Sequence, residues 1–162
     1  MSARRQVAVI GPARCEPHSE AAQLGEEVGR RLAEAGATLV CGGLAGVMEA
    51  ACRGASGAGG MAIGIVPGHE IGEANPYCTH VVATGIGHAR NLAVVSSGGA
   101  VIAIGGEWGT LSEIGFARAI GRTVIALRSW TLSGQERMQD APGVVLANSA
   151  SEAVELALEA LI

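Results

Sequence analysis

Short runs of β-branched and aliphatic residues alternate along this chain with alanine-rich stretches of helical periodicity, and glycine or proline follows most of the runs. This alternation predicts strands that run parallel in one sheet, with connecting helices on both faces. The run Ala100–Ile104 is wholly apolar, as expected of a central strand that is buried on both faces. We therefore predict a single doubly wound α/β domain over residues 1–162, with a mostly parallel sheet of about six or seven strands. The predicted strands are Gln6–Ile10, Ala37–Cys41, Met61–Val66, Thr79–Ala83, Ala100–Ile104, Thr123–Leu127 and Val144–Leu146.

Glycine-rich turns mark the carboxyl ends of three predicted strands. Gly11 follows the first strand, Gly42 and Gly43 follow the second, and Gly105 and Gly106 follow the fifth. In doubly wound sheets, ligands bind beyond the carboxyl ends of the strands. Glycine lets backbone N–H groups approach such a ligand without a Cβ in the way. The first turn lacks the GxGxxG spacing of a dinucleotide site, and the second carries no acid for a ribose, so we do not expect NAD.

The charged residues exclude several classes of function. All 11 basic side chains are arginines, and of the 15 acidic side chains only Asp140 is an aspartate. Without lysine the chain cannot form a Schiff base with pyridoxal phosphate, and it lacks the phosphate-binding lysine of P-loop NTPases and of kinases. A single aspartate cannot supply an EF-hand loop. We therefore expect no metal site and no required cofactor, and a phosphate would have to be held by backbone N–H groups, a helix N-terminus and arginine.

The composition also bears on partners and location. The net charge of −4 and the 2% aromatic content argue against nucleic acid, which is bound by basic stripes and stacking aromatic side chains. No apolar run reaches the ~18 residues of a membrane span, so we expect a cytoplasmic protein without membrane contact. Cys15, Cys41, Cys52 and Cys78 show no ligand spacing. We interpret them as buried free thiols rather than as metal ligands or catalytic groups.

The segment GGEWGTLSE, from Gly105 to Glu113, has two interpretations. As a ligand site, the open backbone of Gly105, Gly106 and Gly109 at a helix N-terminus, with the hydroxyl of Thr110, would hold a phosphate. As a structural feature, Thr110 and Glu113 match a capping box, in which Glu113 reaches back to the N–H group of Thr110. Spacing alone leaves both interpretations open.

Other positions near the strand ends are further candidates. Arg90 begins a predicted helix, where a cation is slightly unfavourable, so it either faces an anion or is solvated. Glu49 lies one turn into the helix that follows the second strand, and it is either functional or complements the helix dipole. Trp108 either stacks on a base or packs against the protein. The polar loop 68–77 either closes over a ligand or only connects two strands.

Three of these motifs resemble those of a known family. IGGEWGTLSE, which ends at Glu113, is similar to the PGGxGTxxE signature of the LOG (Lonely guy) phosphoribohydrolases. GHARN resembles their MHxRK motif, with Arg90 at the arginine position, and CGGLAGVMEAA resembles their GGGxxGLM turn. The resemblance extends over nearly the whole chain and is closest to a bacterial branch related to the DNA-processing protein DprA and to molybdenum-cofactor carrier proteins. It implies a Rossmann-like fold that binds a phosphorylated nucleotide-like ligand.

The resemblance implies two functions. The LOG enzymes hydrolyse the N-glycosidic bond of nucleoside 5′-monophosphates, and by position Glu113 and Arg90 would be the catalytic pair. The departures from the LOG pattern, Ile104, Asn91 and Glu49, follow the carrier-like branch, which implies a binding protein that carries molybdenum cofactor or senses a nucleotide. A pyridoxal-phosphate-dependent lysine decarboxylase, an old label of the family, is not expected because the chain has no lysine. The resemblance implies that a phosphate contacts Gly105, Gly106, Gly109 and Thr110, and we add Gly11, Gly42, Gly43 and Glu49 as ligand-binding candidates.

The resemblance also bears on assembly. Homo-oligomers are usual in the LOG family, so we expect a homodimer or a larger homo-oligomer. Apolar side chains on two predicted helices are candidates for the subunit interface: Val94, Val95, Leu111 and Phe116. DNA handling by analogy with DprA is disfavoured by the charge and by the scarcity of aromatic residues.

Overall fold

The computed structural model describes residues 5–130 and 143–161. Its seven strands are β1 Gln6–Ile10, β2 Thr38–Cys41, β3 Ala62–Val66, β4 His80–Ala83, β5 Ala100–Ile104, β6 Thr123–Leu127 and β7 Val144–Ala147. Its five α-helices are α1 Glu20–Glu34, α2 Val47–Gly57, α3 Arg90–Ser97, α4 Trp108–Ala119 and α5 Ala150–Glu159. Every predicted strand is present, with bounds that differ by at most one residue. Asp140 lies outside the described residues.

The strands form one sheet in the order β4-β3-β2-β1-β5-β6-β7. All neighbouring strands are parallel. The chain adds β2, β3 and β4 on one side of β1, and α3 then leads back so that β5 pairs with β1 on its other side. The strand order therefore reverses between β1 and β5, which is where doubly wound sheets bind ligands. The predicted fold class is confirmed.

Helices cover both faces of this sheet. On one face, α1, α2 and α5 pack on a core that includes Val9 and Ile102. On the other face, α3 and α4 pack on a second core that includes Ala8 and Val101. Neighbouring residues of β1 and of β5 thus point into opposite cores, as the alternation of side chains along a strand requires.

Serine residues begin two helices on the first face. Ser19 accepts a hydrogen bond from the N–H group of Ala22 at the start of α1, and Ser149 accepts one from Glu152 at the start of α5. Ser149 and Glu152 have the spacing of a capping box, but only the serine half of its hydrogen bonds forms. The carboxylate of Glu152 accepts from the N–H group of Asn148 at 2.7 Å, one residue before the cap.

Two of the predicted interface residues lie in the core. Val94 and Val95 are fully buried between α3 and the sheet. The prediction that they offer apolar surface for pairing is therefore wrong, because the helix turns them inward. Phe116 on α4 is 44% exposed and Leu111 is partly exposed, so these two remain candidates.

The described strands all belong to this one sheet. The assignment of residues 1–162 to a single domain stays a prediction. Within residues 5–130 and 143–161, no helix is long and apolar enough to cross a bilayer.

Candidate functional site

The end of β1 is wedged between β5 and the start of α2. A Cβ on Gly11 would lie 2.6 Å from the carbonyl oxygen of Ile104 and 2.8 Å from Cγ1 of Val47. The N–H group of Val47 donates to the carbonyl of Pro12 at 3.0 Å, which fixes α2 against this turn. Gly11 is therefore required for packing at the switch point. Its contact with a ligand stays a prediction.

The two glycines after β2 have different surroundings. A Cβ on Gly42 would lie 2.8 Å from Nη2 of Arg90, so the missing side chain leaves room for the guanidinium. Gly43 has a φ of +73°. Its N–H group donates to Sγ of Cys41 at 3.3 Å, and its carbonyl accepts from the N–H group of Asn75 at 2.8 Å. The N–H and carbonyl groups of Gly43 thus form hydrogen bonds within the protein, whereas Gly42 borders the buried guanidinium of Arg90.

Helix α4 begins with an open N-terminus. Its first main-chain hydrogen bond runs from the N–H group of Leu111 to the carbonyl of Glu107, at 3.0 Å. Glu107 is the N-cap residue, and its side chain forms no capping hydrogen bond. The N–H groups of Trp108, Gly109 and Thr110 therefore have no acceptor within the helix, and such groups bind anions at helix N-termini. A Cβ on Gly109 would meet no atom of the described residues within 4 Å, so on their side the space beside its Cα is open.

The capping-box interpretation of Thr110 and Glu113 is wrong. The N-cap of α4 is Glu107, so Thr110 lies inside the helix, where its N–H group is not that of a cap residue. Thr110 is 2% exposed and Glu113 is 7% exposed. A capping box needs its first residue at the helix boundary, and spacing alone does not locate that boundary. A buried carboxyl group in the second turn of α4 requires another explanation.

Arg90 and Glu113 are buried groups of opposite charge that influence each other. Each is only 7% exposed. Burial raises the pKa of Glu113 to about 7, although the charge of Arg90 acts to lower it. Burial also lowers the pKa of Arg90, which the charge of Glu113 acts to raise. Among the ion pairs of the described residues none joins the two, so their attraction acts without a direct contact.

The guanidinium of Arg90 is incompletely satisfied. Its Nη1 donates to Oδ1 of Asn91. Its Nε is buried and has no hydrogen-bond partner among the described residues. A buried donor without an acceptor costs about 1–3 kcal/mol, so an acceptor supplied by a ligand would recover that free energy.

Two tryptophans flank the turn before α4. A Cβ on Gly106 would lie 2.6 Å from Nε1 of Trp130, which donates to the carbonyl of Glu107 at 3.3 Å. Trp108 is 78% exposed, and its ring centroid lies 5.5 Å from that of Trp130. Gly106 therefore borders an indole ring, and Trp108 presents an aromatic surface beside the free N–H groups. Trp130 is not among the predicted site residues, although it lies shortly after β6, which ends at Leu127 on the ligand-binding edge of the sheet.

Nearly the whole chain is similar in sequence to a known protein family. Residues 4–154 match the SLOG cluster4 family. The chain belongs to this family. This confirms the predicted superfamily.

Relatives of this SLOG protein include molybdenum-cofactor proteins. A protein of Archaeoglobus fulgidus is 40% identical over 123 residues, which cover 76% of this chain and 80% of that protein. The molybdenum cofactor binding protein of Rippkaea orientalis is 31% identical, with a TM-score of 0.88 and 100% of both chains covered. The molybdenum cofactor carrier protein of Chlamydomonas reinhardtii is 27% identical, with a TM-score of 0.83 and 98% of both chains covered. DNA processing protein A of Streptococcus pneumoniae shares the fold alone, at 23% identity and a TM-score of 0.70 over 93% of this chain and 61% of that one.

Two further predicted site residues of the SLOG protein, Gly105 and Glu49, have structural roles in the sheet and in a helix. The N–H group of Gly105 donates to the carbonyl of Leu127 at 3.2 Å, so it extends the sheet. Glu49 lies in the first turn of α2, is partly exposed and has the charge that complements the helix dipole. The structure brings Gly42, Arg90 and Glu113 into one region. The part that Gly105 and Glu49 play in binding stays a prediction.

One end of the loop 68–77 is fixed to the β2 turn. The Nδ2 of Asn75 donates to the carbonyls of Gly43 at 3.2 Å and of Leu44 at 2.9 Å, and its Oδ1 accepts from the N–H group of Tyr77 at 3.1 Å. Sequence reasoning did not single out this anchor, because its partners lie more than thirty residues away. A lid movement would be confined to the residues before Asn75.

Proposed function

We propose that this SLOG protein binds a phosphate-bearing heterocyclic molecule, with molybdenum cofactor as its favoured cargo. The observation that carries the proposal is the buried Nε of Arg90, which lacks a hydrogen-bond partner among the described residues. An anionic oxygen is the acceptor that best satisfies a guanidinium. Similarity to two proteins named for molybdenum cofactor, over their whole lengths, supports the choice of cargo.

The described residues fit such a ligand. The free N–H groups of Trp108, Gly109 and Thr110 suit a phosphate, and their helix dipole adds a favourable charge. Glu113, whose pKa is raised to about 7, can donate a hydrogen bond as a neutral acid or accept one as a carboxylate. A pterin carries N–H donors and carbonyl acceptors, so either form of Glu113 finds a partner. The exposed ring of Trp108 offers an apolar face to a planar heterocycle.

Hydrolysis of a nucleoside 5′-monophosphate is the second candidate, and the pKa of Glu113 favours it. A carboxyl group with a pKa of about 7 is suited to proton transfer at neutral pH. In the reaction, water adds to C1′ of the ribose while the C1′–N bond breaks. Glu113 would take one proton from the water and pass it to the departing base nitrogen, while the remaining hydroxyl bonds to C1′. Arg90 would hold the ligand's anionic oxygens.

One experiment compares the two functions. Purified protein is mixed in parallel with AMP and with molybdenum cofactor freshly released from a molybdoenzyme. We expect molybdenum to co-elute with the protein on gel filtration, and to be lost in Arg90→Ala but not in Arg128→Ala, whose arginine lies in an exposed ion pair with Glu20. Release of adenine that disappears in Glu113→Ala would make hydrolysis the function. If neither molybdenum is retained nor adenine released, the proposal fails.

Several expectations stay predictions alongside this proposal. They are a homodimer or larger homo-oligomer, a cytoplasmic location and the absence of a nucleic acid partner. The DprA likeness is one of fold and does not test the last of these. A gel-shift titration with single-stranded DNA provides the test, and a shift at micromolar protein would contradict the prediction.

A further inference from the structure

Three of the four cysteines form a cluster beside the β2 turn. The Sγ of Cys52, on α2, lies 3.4 Å from the Sγ of Cys41, at the end of β2. On its other side it lies 3.7 Å from the Sγ of Cys78, which precedes β4. Since the sulfur atoms of a disulfide are about 2.05 Å apart, a shift of about 1.5 Å would bring Cys52 to bonding distance of either neighbour.

The three thiols differ in access and in hydrogen bonding. Cys41 and Cys52 are fully buried, whereas Cys78 is partly exposed. Hydrogen bonds with Cys41 and Cys52 hold the pKa of Cys78 well below the usual range of a thiol, against the effect of burial. The pKa values of Cys41 and Cys52 are raised, so these two keep their protons. A thiolate is the reactive form of cysteine. Of the three thiols in the cluster, the one with the lowered pKa is Cys78, which is also the one that solvent reaches.

We propose that Cys78 is a peroxide-reactive thiol and that Cys52 resolves its oxidised form into an intramolecular disulfide. The proposal does not rest on the proposed ligand binding, and the substrate of this cluster would be a hydroperoxide.

The chemistry balances for hydrogen peroxide. The thiolate of Cys78 attacks one peroxide oxygen, the O–O bond breaks, and the departing oxygen takes a proton to become water, which leaves a sulfenic acid on Cys78. The sulfur of Cys52 then attacks the sulfenic sulfur, an S–S bond forms, the S–O bond breaks and a second water leaves with the proton of Cys52. The two thiols lose two electrons in total, and the peroxide gains them.

The disulfide would connect two parts of the structure that meet near the ligand site. Cys52 belongs to α2, and Cys78 follows Asn75 closely, with its N–H group donating to the Asn75 carbonyl at 3.3 Å. Asn75 in turn binds the carbonyls of Gly43 and Leu44 in the β2 turn. Oxidation would therefore fasten the loop that carries Asn75 to α2.

Cys15 provides the matched control within the same chain. It is a free, partly exposed thiol like Cys78. No sulfur atom within the described ranges lies at hydrogen-bond distance from it, whereas Cys78 contacts Cys52. The difference between the two thiols is thus the cluster and not mere exposure.

The test uses the full reduced chain, treated with a chelator and then with equimolar hydrogen peroxide. After quenching with an alkylating reagent, peptide mass mapping should find a Cys52–Cys78 disulfide while Cys15 stays reduced. Cys78 should react about tenfold or more faster than Cys15. In Cys52→Ala, the reaction should stop at a sulfenic acid on Cys78 that dimedone traps, and Cys15→Ser should behave as the wild type.

Three outcomes would overturn the proposal. One is equal reactivity of Cys15 and Cys78 in the native wild-type chain, a result that does not depend on whether any variant folds. Another is a disulfide between Cys41 and Cys52, or between two chains, as the main product. The third is the absence of a trapped sulfenic acid in a Cys52→Ala protein whose circular dichroism matches the wild type.

Discussion

The guanidinium of Arg90 lies against Gly42, where any other residue would place its side chain: a Cβ at Gly42 would be 2.8 Å from Nη2 of Arg90. A cation that is 7% exposed is therefore accommodated by a glycine at the end of a strand. The same hypothetical Cβ would lie 2.8 Å from Sδ of Met48. Gly42 thus acts through the position of Arg90, and it need not touch a ligand to affect binding.

Gly42→Ala should lower the stability of the protein and also weaken ligand binding, and the two effects can be measured separately. The new methyl group would meet the far ends of two flexible side chains, Arg90 and Met48, which can move, so we expect a loss of about 1–3 kcal/mol of folding free energy. Because Arg90 must shift, we expect a loss of most of the thermal stabilisation that a phosphorylated ligand provides. Gly57→Ala is the control, because a Cβ at Gly57 would meet nothing within 4 Å in the part of the chain that the structure describes. An unchanged ligand-induced shift in Gly42→Ala would show that Arg90 does not bind the ligand.

Two glycines of α4 allow a sharper comparison. Within residues 5–130 and 143–161, no atom would lie within 4 Å of a Cβ at either Gly109 or Gly115. Both substitutions to alanine should therefore stabilise the helix, each by about 0.5–1 kcal/mol. Only Gly109→Ala should weaken ligand binding, because its methyl group would stand beside the free N–H groups at the helix start. Urea unfolding with and without ligand measures both effects, and equal ligand responses of the two variants would contradict an anion site there.

Glu113 should make the stability of the free protein depend on pH. Its pKa is raised from 4.5 in the unfolded chain to about 7 in the folded protein, first by burial. Between these values the folded state holds a proton that the unfolded state has lost, so the free energy of unfolding falls as pH rises from about 4.5 to about 7. The total change attributable to this group is about 3 kcal/mol.

Glu113→Gln removes this titration. We expect the variant to be more stable than the wild type at pH 8 and to lose that advantage toward pH 5, as measured by urea unfolding at both values. Glu159→Gln, at an exposed residue of α5, is the control for the loss of one carboxylate. If the free energy of unfolding changes between pH 5 and pH 8 by the same amount in the wild type and in Glu113→Gln, the pKa of Glu113 is not raised in the folded state.

The sequence predicted the fold well, whereas the contacts within the candidate site depend on packing that the sequence does not show. Strand bounds were accurate because β-branched runs and glycine turns act locally, as in β5. Arg90 and Glu113 were identified through a family resemblance, but their burial without a direct ion pair depends on how α3 and α4 pack. The contact between Cys52 and Cys78 spans 26 residues of sequence and could not be read from spacing. Periodicity also failed at Val94, because an apolar helix position does not reveal by itself whether it faces the sheet or a partner.

The outer face of α3 and α4 should carry the predicted subunit interface. Leu92 is 42% exposed, Phe116 44% and Ile120 42%. Ile120 is the C-cap residue of α4, and its N–H group donates to the carbonyl of Phe116 at 3.1 Å. Phe116→Arg should reduce the mass measured by light scattering to that of a smaller assembly, because a buried charge without a partner is costly. Ile71→Arg, at a residue that is 69% exposed in the loop, should leave the mass unchanged. A wild type that is already monomeric would refute the predicted oligomer.

The coupling between Arg90 and Glu113 can be tested without any ligand. Arg90→Met removes the charge that lowers the pKa of Glu113, so that pKa should rise above about 7. The pH range over which the protein loses stability should then move to more alkaline values, because the folded state keeps its proton longer. In the double variant with Glu113→Gln this shift should vanish, whereas Arg128→Met, which breaks only the exposed pair with Glu20, should not produce it. If Arg90→Met moves the pH profile equally with and without Glu113, the shift comes from another group, and the charges of the two residues are not coupled.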